Sequence, residues 1–274
     1  MKKISLYVLI AVLMAGIAII CFHGTKSEGA CPDCGVADVA MAQAPRVDTL
    51  IFVSEAEVDS IPFILLKMNP ETAVVTFADA VIPSLNDSSV ALCVEAAFTG
   101  QLLKEFQSSN VSGDYMIDGV LHKGYRTPVN TGFLATVDGV PFISSVSDYR
   151  QWLNETHSNT TCMFHQVLLV KDGQYVYSGR PIKPTSRNIY RAACILDDGS
   201  FVVIQSKAVV QLRQFILSLM QLGVSDALYL DMGGGWNYGW YRETTQSMSV
   251  ELFKNKTPYQ TNWLVVKAKD SVIK

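Results

Sequence analysis

The sequence has little charge and no run of lysine and arginine. Charged residues make up 17% of its 274 residues, and the formal net charge is −3. Binding to a nucleic-acid backbone requires a concentrated positive face, so we expect no nucleic-acid partner. Hydrophobic residues make up 49%, which is enough to bury a sizeable core in one large domain.

Histidine is scarce as well, and several familiar catalytic motifs are missing. Only four histidines occur, so a multi-histidine metal site or a Ser-His-Asp triad is poorly supported. His122 and His165 lie in strand-like runs, where a hydrogen-bonded structural histidine is the favoured interpretation. The chain has no GxxxxGK(S/T) loop, no G-x-S-x-G elbow and no H-E-x-x-H helix. We therefore expect no cofactor, and the sequence offers no metal ligands.

Cysteine usage does not indicate a disulfide framework. Six cysteines occur, and removal of a signal through Cys21 leaves five, an odd number. Cys31-Pro32-Asp33-Cys34 has the spacing of a redox pair or half a zinc site, but no second pair accompanies it. A local disulfide or two unreactive thiols is the favoured interpretation. Cys93, Cys162 and Cys194 lie in apolar runs and are expected in the core.

The N-terminus predicts export. Met1-Lys2-Lys3 precedes an apolar segment from Ile4 to Phe22, which is the layout of a secretory signal peptide. An uncleaved membrane anchor is the alternative. We expect a periplasmic, cell-surface or secreted protein that meets a membrane only through this segment, if it stays uncleaved or is lipidated at Cys21. The chain then has three parts, a signal peptide or anchor, a linker and one folded domain: residues 1–22, 23–45 and 46–274.

The folded part is predicted to be α+β, with mixed, largely antiparallel sheets packed against a few helices. Asp-Gly pairs separate β-rich runs at three places, as in two-residue hairpins: residues 138–139, 172–173 and a pair at 198–199. Such hairpins favour an antiparallel or mixed sheet over a doubly wound parallel one. Helices are predicted at three apolar-periodic segments: residues 88–107, 147–154 and 208–222.

Residues 227–242 contain the densest special chemistry of the chain. A short apolar run, interpreted as a buried strand, ends at Asp231 and opens into Gly233-Gly234-Gly235. A carboxylate at the end of such a strand is costly to bury without a partner or a purpose, and glycines let backbone N–H groups approach a ligand. The following aromatic residues could form a sugar-stacking platform or pack in the core: Trp236, Tyr238, Trp240 and Tyr241.

Two earlier elements carry further candidate groups. Asn130-Thr131-Gly132-Phe133 is a turn signal that leads into a strand, with a side-chain amide as a possible ligand contact. Arg191 heads an apolar hairpin strand, where a guanidinium could clamp a phosphate or a carboxylate with two hydrogen bonds. An ordinary surface arginine is the alternative interpretation.

The order of these elements resembles the phosphodiester glycosidase family. That family has an Asn-Gly-Gly-Phe-Phe-like element, an Arg-Thr-Ala strand before an Asp-Gly turn, and a Leu-Asp-Gly-Gly-Gly-Ser signature. The matching segments lie within residues 115–240: Asn130-Thr131-Gly132-Phe133, Arg191-Ala192-Ala193 before Asp198-Gly199, and Leu230-Asp231-Met232-Gly233-Gly234. Met232 stands in place of the family's first glycine, Gly235 in place of its serine, and Trp236-Asn237 in place of small hydroxyl-bearing residues. A bulky aromatic side chain at this point would reshape a sugar pocket.

The resemblance implies an exported bacterial hydrolase of glycosidase type, with a carbohydrate or glycosyl-phosphate substrate. The substrate linkage would be a glycosyl phosphodiester or a related envelope or polysaccharide glycan. Asp231 and Arg191 are the expected catalytic residues, the first as nucleophile, charge stabiliser or base and the second as a phosphate ligand. The expected substrate-binding residues surround two glycine-containing turns: Asn130, Gly132, Gly233, Gly234, Gly235, Trp236 and Asn237.

Two questions remain open from the sequence. No second acid can be identified, because Glu243 and Asp197 are merely near Asp231 and Arg191 in sequence. The alternative function is a non-catalytic glycan-binding protein of the cell envelope that uses the aromatic cluster after the three glycines.

Overall fold

The computed structural model describes residues 48–99, 110–125 and 129–270. The predicted signal segment, the linker and the Cys31–Cys34 pair lie outside these residues. The first nine strands are β1 (Ile51–Val58), β2 (Ile61–Met68), β3 (Ala73–Asp79), β4 (Val90–Glu95), β5 (Tyr115–Ile117), β6 (Val120–His122), β7 (Gly132–Val137), β8 (Val140–Ser145) and β9 (Thr160–Gln166).

Ten further strands follow along the chain. They are β10 (Leu168–Lys171), β11 (Gln174–Tyr175), β12 (Arg187–Asn188), β13 (Arg191–Leu196), β14 (Phe201–Ser206), β15 (Val210–Gln211), β16 (Val224–Leu230), β17 (Gly239–Tyr241), β18 (Val250–Phe253) and β19 (Asn262–Ala268). The helices of the described residues are α1 (Tyr149–Thr156), α2 (Leu212–Gln221) and a single 3-10 turn (His157–Asn159).

The fold is β-rich, so the α+β prediction was wrong. Strands account for 50% and helices for 10% of the structure. The main error is β4, which was predicted as the start of a long helix. All six residues of β4 are buried, and a fully buried strand has a continuous apolar run rather than an alternating one. Periodicity alone cannot distinguish such a run from a buried helix.

Every pairing between these named strands is antiparallel, and the predicted Asp-Gly hairpins are confirmed. They join β7 to β8, β10 to β11 and β13 to β14. At the first two turns both Asp and Gly have positive φ, as a two-residue hairpin with the strand twist requires. A fourth Asp-Gly turn, Asp118-Gly119, separates β5 from β6.

Three sheets surround a common apolar core. Their strand orders are β1-β2-β14-β13-β16-β10-β11, β18-β17-β4-β19-β3 and β6-β5-β9-β7-β8. Leu92, Leu134 and Leu228, one from each sheet, are fully buried in this core. Helix α2 covers the outer face of the seven-stranded sheet through Phe215 and Ile216. The apolar area removed from water in these layers is the dominant stabilising contribution.

The ends of strands from two sheets meet at the candidate site. Arg191, the first residue of β13, pairs with Leu230, the last residue of β16. The next residue, Asp231, donates its backbone N–H to the carbonyl of Ala96, which follows β4. The distance from the Asp231 backbone nitrogen to the Ala96 carbonyl oxygen is 3.1 Å. The antiparallel pairing and this hydrogen bond bring the ends of β4, β13 and β16 together.

The described residues also bear on two other expectations. None of their helices is both long enough and apolar enough to cross a membrane. Cys93, Cys162 and Cys194 are buried free thiols, which confirms their predicted place in the core.

Candidate active site

Asp231 is a buried carboxyl group that titrates near neutral pH. It is 6% exposed, and its Oδ1 accepts the backbone N–H of Gly233 at 2.9 Å. Burial raises the pKa of Asp231 to about 7, although the backbone N–H groups of Gly233 and Met232 oppose this shift. A carboxyl group with such a pKa can both accept and release a proton at neutral pH.

Glu95 is a second buried carboxyl group, at the end of β4. It is fully buried, and neither carboxyl oxygen has a hydrogen-bond partner among the described residues. Burial and then the nearby Asp231 raise the pKa of Glu95 well above its usual range. The backbone of Thr261 and the Arg191 guanidinium oppose this shift, but the Thr261 contact falls short of hydrogen-bond geometry. The raised pKa favours the protonated form of Glu95, and two neighbouring carboxyl groups in different environments can serve as acid and base.

Arg191 is a buried cation beside the two carboxyl groups. It is fully buried, which contradicts the surface-arginine alternative. Its Nε donates to Gln205 Oε1 at 2.8 Å, and its two terminal nitrogens donate to the carbonyl oxygens of Tyr238 at 3.5 Å and Asn237 at 3.3 Å. Burial lowers the pKa of Arg191 to about 10, and Glu95 opposes this shift. The guanidinium is therefore charged at neutral pH.

The Arg191 charge has no contacting counter-ion in the described part of the chain. The five ion pairs found there all involve lysine, so the influence of Glu95 on Arg191 acts over more than 4 Å. Gly239 makes room for the guanidinium, because a Cβ at that position would lie 3.1 Å and 3.2 Å from its terminal nitrogens. The cation is therefore held by neutral acceptors.

The three glycines form a turn that opens to the surface at Gly234. The backbone N–H of Trp236 donates to the carbonyl of Gly233 at 2.9 Å. Gly235 has a φ of 96°, a conformation that L-amino acids with a side chain rarely adopt. A Cβ on Gly234 would meet no atom within 4 Å. The backbone at Gly234 is therefore the point where a ligand can approach the turn.

Met232, which stands where the family has a glycine, packs into the fold. It is 2% exposed and belongs to the apolar cluster between the seven-stranded sheet and α2. Its backbone N–H donates to the Tyr229 hydroxyl at 3.1 Å, and its carbonyl accepts from Asn188 Nδ2 at 2.7 Å. The Met232 side chain packs into this apolar cluster and not beside the Asp231 carboxyl. Its backbone hydrogen bonds stabilise the strand end.

Most of the aromatic cluster belongs to the core, so it does not form an exposed stacking platform. Three of its four rings are buried: Tyr238, Trp240 and Tyr241. Trp236 is the partly exposed one. Its Nε1 donates to Thr99 Oγ1 and to the carbonyl of Tyr259, both at 2.9 Å. Its ring centroid lies 5.5 Å from that of Tyr259, so these two rings form an aromatic wall beside the glycine turn.

The Asn130 side chain is hydrogen-bonded to Ser112. Its Nδ2 donates to the carbonyl and the hydroxyl of Ser112, both at 3.0 Å, and its Oδ1 is buried without a partner among the described residues. No hydrogen bond or ion pair within the described part of the chain joins Asn130 to Asp231 or Arg191. The structure brings Arg191, Asp231 and the glycine turn together, and the place of Asn130 in the site stays a prediction.

Gly132 is required by packing. It is buried, and a Cβ at this position would lie 2.9 Å from both Leu168 Cβ and Leu228 Cδ1. The missing side chain lets β7 pack directly against the seven-stranded sheet. The neighbouring Thr131 donates its N–H to the carbonyl of Gln166, whose side chain donates to the carbonyl of Ala96 at 3.0 Å. Gln166 thus links the turn to Ala96, whose carbonyl also accepts the Asp231 N–H.

His165 is a buried, neutral histidine. It is 4% exposed, and its ring meets the Tyr149 ring edge-on at 4.6 Å. Burial lowers the pKa of His165 to about 4, although Asp114 opposes this shift. Within the described residues, no group of three or more His, Cys, Asp or Glu side chains could hold a metal ion.

Sequence reasoning missed Glu95 and Gln205. The signal for Glu95 was present, because a single carboxylate interrupts the apolar run from Val90 to Ala97. Asp231 was selected because a carboxylate ends an apolar strand, whereas Glu95 fell inside the segment that was predicted as a helix. Glu243 and Asp197, the acids that were considered instead, are exposed.

Comparisons with known proteins agree with this arrangement. The family model for phosphodiester glycosidases matches residues 93–266, more than half of the chain. The match includes Glu95, Arg191 and Asp231. Among curated protein sequences no match is found.

Solved structures give a similarity in fold. The zebrafish N-acetylglucosamine-1-phosphodiester alpha-N-acetylglucosaminidase catalytic domain, auto-inhibited by its pro-peptide, is 13% identical with a TM-score of 0.52, over 83% of this chain and 85% of that chain. A hypothetical protein from Synechocystis is also 13% identical, with a TM-score of 0.45, over 83% of this chain and 65% of that chain. At such identity these similarities concern the fold alone.

Proposed function

We infer a glycosidase-type function for this chain, because the chain belongs to the phosphodiester glycosidase family. The observation that supports it most is the pair of buried carboxyl groups, Glu95 and Asp231, beside the uncompensated charge of Arg191. Buried acids without a structural partner destabilise a fold, and their presence together indicates a catalytic use. We propose that the chain hydrolyses a glycosyl phosphodiester.

The proposed substrate matches the charge and shape of the site. A phosphodiester is a monoanion, and the Arg191 charge stabilises an anion nearby. The backbone N–H groups of the turn at Gly234 can donate hydrogen bonds to the phosphate oxygens, as those of glycine-rich turns do to other anions. The Trp236 and Tyr259 rings supply an apolar surface against which a sugar ring can pack.

The proposed reaction breaks the bond between the sugar C1 and the phosphate oxygen. Asp231, as a carboxylate, takes a proton from water while the water oxygen bonds to C1. The electron pair of the broken bond leaves with the phosphate oxygen, which takes the proton of Glu95. The products are the free sugar and a phosphomonoester. Transfer of a proton from Asp231 to Glu95 through solvent restores the site.

The setting of this reaction is proposed from the N-terminus. The basic and apolar segment at residues 1–22 supports export of the chain to the cell envelope or beyond. Envelope and polysaccharide glycans that contain sugar phosphodiester bonds are therefore the proposed natural substrates. A fusion of residues 1–22 to a reporter enzyme that is active only outside the cytoplasm tests export, and an inactive reporter would contradict it.

Hydrolysis in heavy-oxygen water tests the reaction. The purified protein is incubated with alkyl phosphodiesters of several sugars in this water, and the masses of the products are measured by mass spectrometry. Incorporation of the heavy oxygen into the sugar hydroxyl at C1 is the expected result. Incorporation into the phosphate would identify a phosphodiesterase, and saturable binding without products would identify the glycan-binding alternative.

A further inference from the structure

The buried cation Arg191 has an unusual partner. Gln205 of β14 lies directly opposite Arg191 of β13 in the sheet, and its amide oxygen accepts the Arg191 Nε at 2.8 Å. Gln205 is itself 6% exposed. A buried guanidinium is usually paired with a carboxylate, because the opposite charge offsets the loss of hydration. Here a neutral amide takes that place.

An amide partner fixes the direction of the guanidinium and leaves its charge in place. Gln205 accepts the hydrogen bond from Nε, and the carbonyl groups of Tyr238 and Asn237 accept hydrogen bonds from the two terminal nitrogens. All three acceptors are neutral, so the positive charge remains available to groups beyond contact distance. In a site of low dielectric constant, such a charge acts more strongly than it would in water.

The titratable groups that face Arg191 come from β4 and β16. Burial raises the pKa of the Cys93 thiol and of the Tyr229 phenol well above their ordinary values, so both are neutral at neutral pH. Of the groups that interact electrostatically with Arg191, the one able to carry negative charge is Glu95, and Glu95 in turn interacts with Asp231. The Arg191 charge is therefore directed at Glu95, at Asp231 through its coupling to Glu95, and at any anion bound beside them.

We propose that Gln205 is a positioning residue that orients Arg191 without neutralising it, so that the Arg191 charge acts on the carboxyl pair and on the anionic substrate. The proposal rests on the proposed hydrolysis of a phosphodiester for its effect on turnover. Its effect on the carboxyl groups is independent of turnover.

The substitution Gln205→Glu separates orientation from charge. Glutamate has nearly the same shape and keeps the hydrogen-bond acceptor, but it adds a negative charge in contact with the guanidinium. We expect kcat/KM for the phosphodiester to fall at least about tenfold, with KM raised, because the anion loses its attraction. We expect the rise of kcat/KM with pH to move upward by about one pH unit. Gln205→Met removes the acceptor and should lower kcat.

Two measurements make the outcome decisive. The variant Gln246→Glu adds the same charge at an exposed glutamine outside the charged cluster and serves as the control. Carboxyl titration by carbon-13 NMR follows Asp231 and Glu95 whether or not the protein turns over substrate. If Gln205→Glu unfolds at the same or a higher temperature and leaves activity and both titrations unchanged, Gln205 is merely structural and the proposal is overturned. A wild-type protein without turnover, but with carboxyl titrations shifted by Gln205→Glu, would refute the proposed reaction and keep the positioning role.

Discussion

Two regions of the interior bury polar groups, and they differ in how those groups are satisfied. The charged cluster consists of Glu95, Arg191, Gln205 and Asp231, and the neutral cluster of Ser112, Asn130 and His165. In the charged cluster, two acids and a cation are buried without an ion pair in contact. In the neutral cluster, Asn130 gives both N–H groups to Ser112, and the pKa of His165 is lowered to about 4.

Each cluster contains buried atoms without a partner among the described residues, Asn130 Oδ1 and His165 Nδ1 in the neutral one. The charged cluster costs more stability, because burying an ionisable acid costs more than burying a neutral polar atom. Uncharged groups that hydrogen-bond one another can be buried at little net cost. Buried acids whose pKa values are raised lower the stability of the folded protein at neutral pH. Such a cost is typical of sites that are retained for chemistry. The predictions below test whether the two clusters differ in this way.

Asp231→Asn should have the largest effect. The amide keeps the shape and the Gly233 hydrogen bond but cannot accept a proton, so kcat/KM should fall about 10²- to 10⁴-fold. In the wild type, kcat/KM should rise with pH and reach half its maximum near pH 7, because burial raises the pKa of Asp231 to about 7. Steady-state kinetics from pH 5 to 9 measure both effects. Undiminished turnover by the variant would remove Asp231 from the mechanism.

The stability of the protein should depend on pH through the same residue. The folded pKa of Asp231 is about 7 against an ordinary value of 3.8, so the folded state holds a proton that the unfolded state releases. The free energy of unfolding should therefore fall as pH rises from about 4 to about 7, by up to roughly 4 kcal/mol, and then level off. Urea unfolding at several pH values should show Asp231→Asn to be the more stable protein at pH 8. Equal stability at pH 8 would argue against a buried, ionising Asp231.

Glu95→Gln should have an intermediate effect. A glutamine resembles the protonated acid but cannot give up a proton, so kcat should fall about 10- to 100-fold. The effect is smaller than for Asp231 because phosphate is already a good leaving group. Because burial raises the pKa of Glu95, any loss of activity that its ionisation causes at higher pH should be absent from the variant. An unchanged alkaline limb would show that another group supplies the proton.

Asn130→Ala should have the smallest effect on catalysis. Loss of the two hydrogen bonds to Ser112 should lower the free energy of unfolding by about 1 to 2 kcal/mol. We expect kcat/KM to fall less than about tenfold, because the Asn130 side chain donates to Ser112 and has no hydrogen bond to the charged cluster within the described residues. A loss as large as that of Asp231→Asn would place Asn130 in the substrate site and remove the distinction between the clusters.

The sequence allowed the hairpins and one corner of the site to be predicted. Asp-Gly turns depend on local backbone conformation, so they are visible in a few residues. Asp231 stood out because a carboxylate ended an apolar strand. Glu95 did not, because its strand is buried on both faces and has no alternation to mark it as β. Gln205 lies opposite Arg191 in a hairpin that the sequence predicted. Its role depends on the burial of Arg191, which the sequence left open, so Gln205 was not selected.

The meeting of two sheets at the site gives its geometry an unusual dependence on the core. Glu95 ends a strand of one sheet, and Asp231 follows a strand of another. The spacing of the acids is therefore set by how closely the sheets stack, through side chains such as Val94 and Leu230. Turnover should then respond to conditions that compress or loosen the stack, such as pressure, before unfolding begins. The reaction rate would then report on the distance between the two sheets.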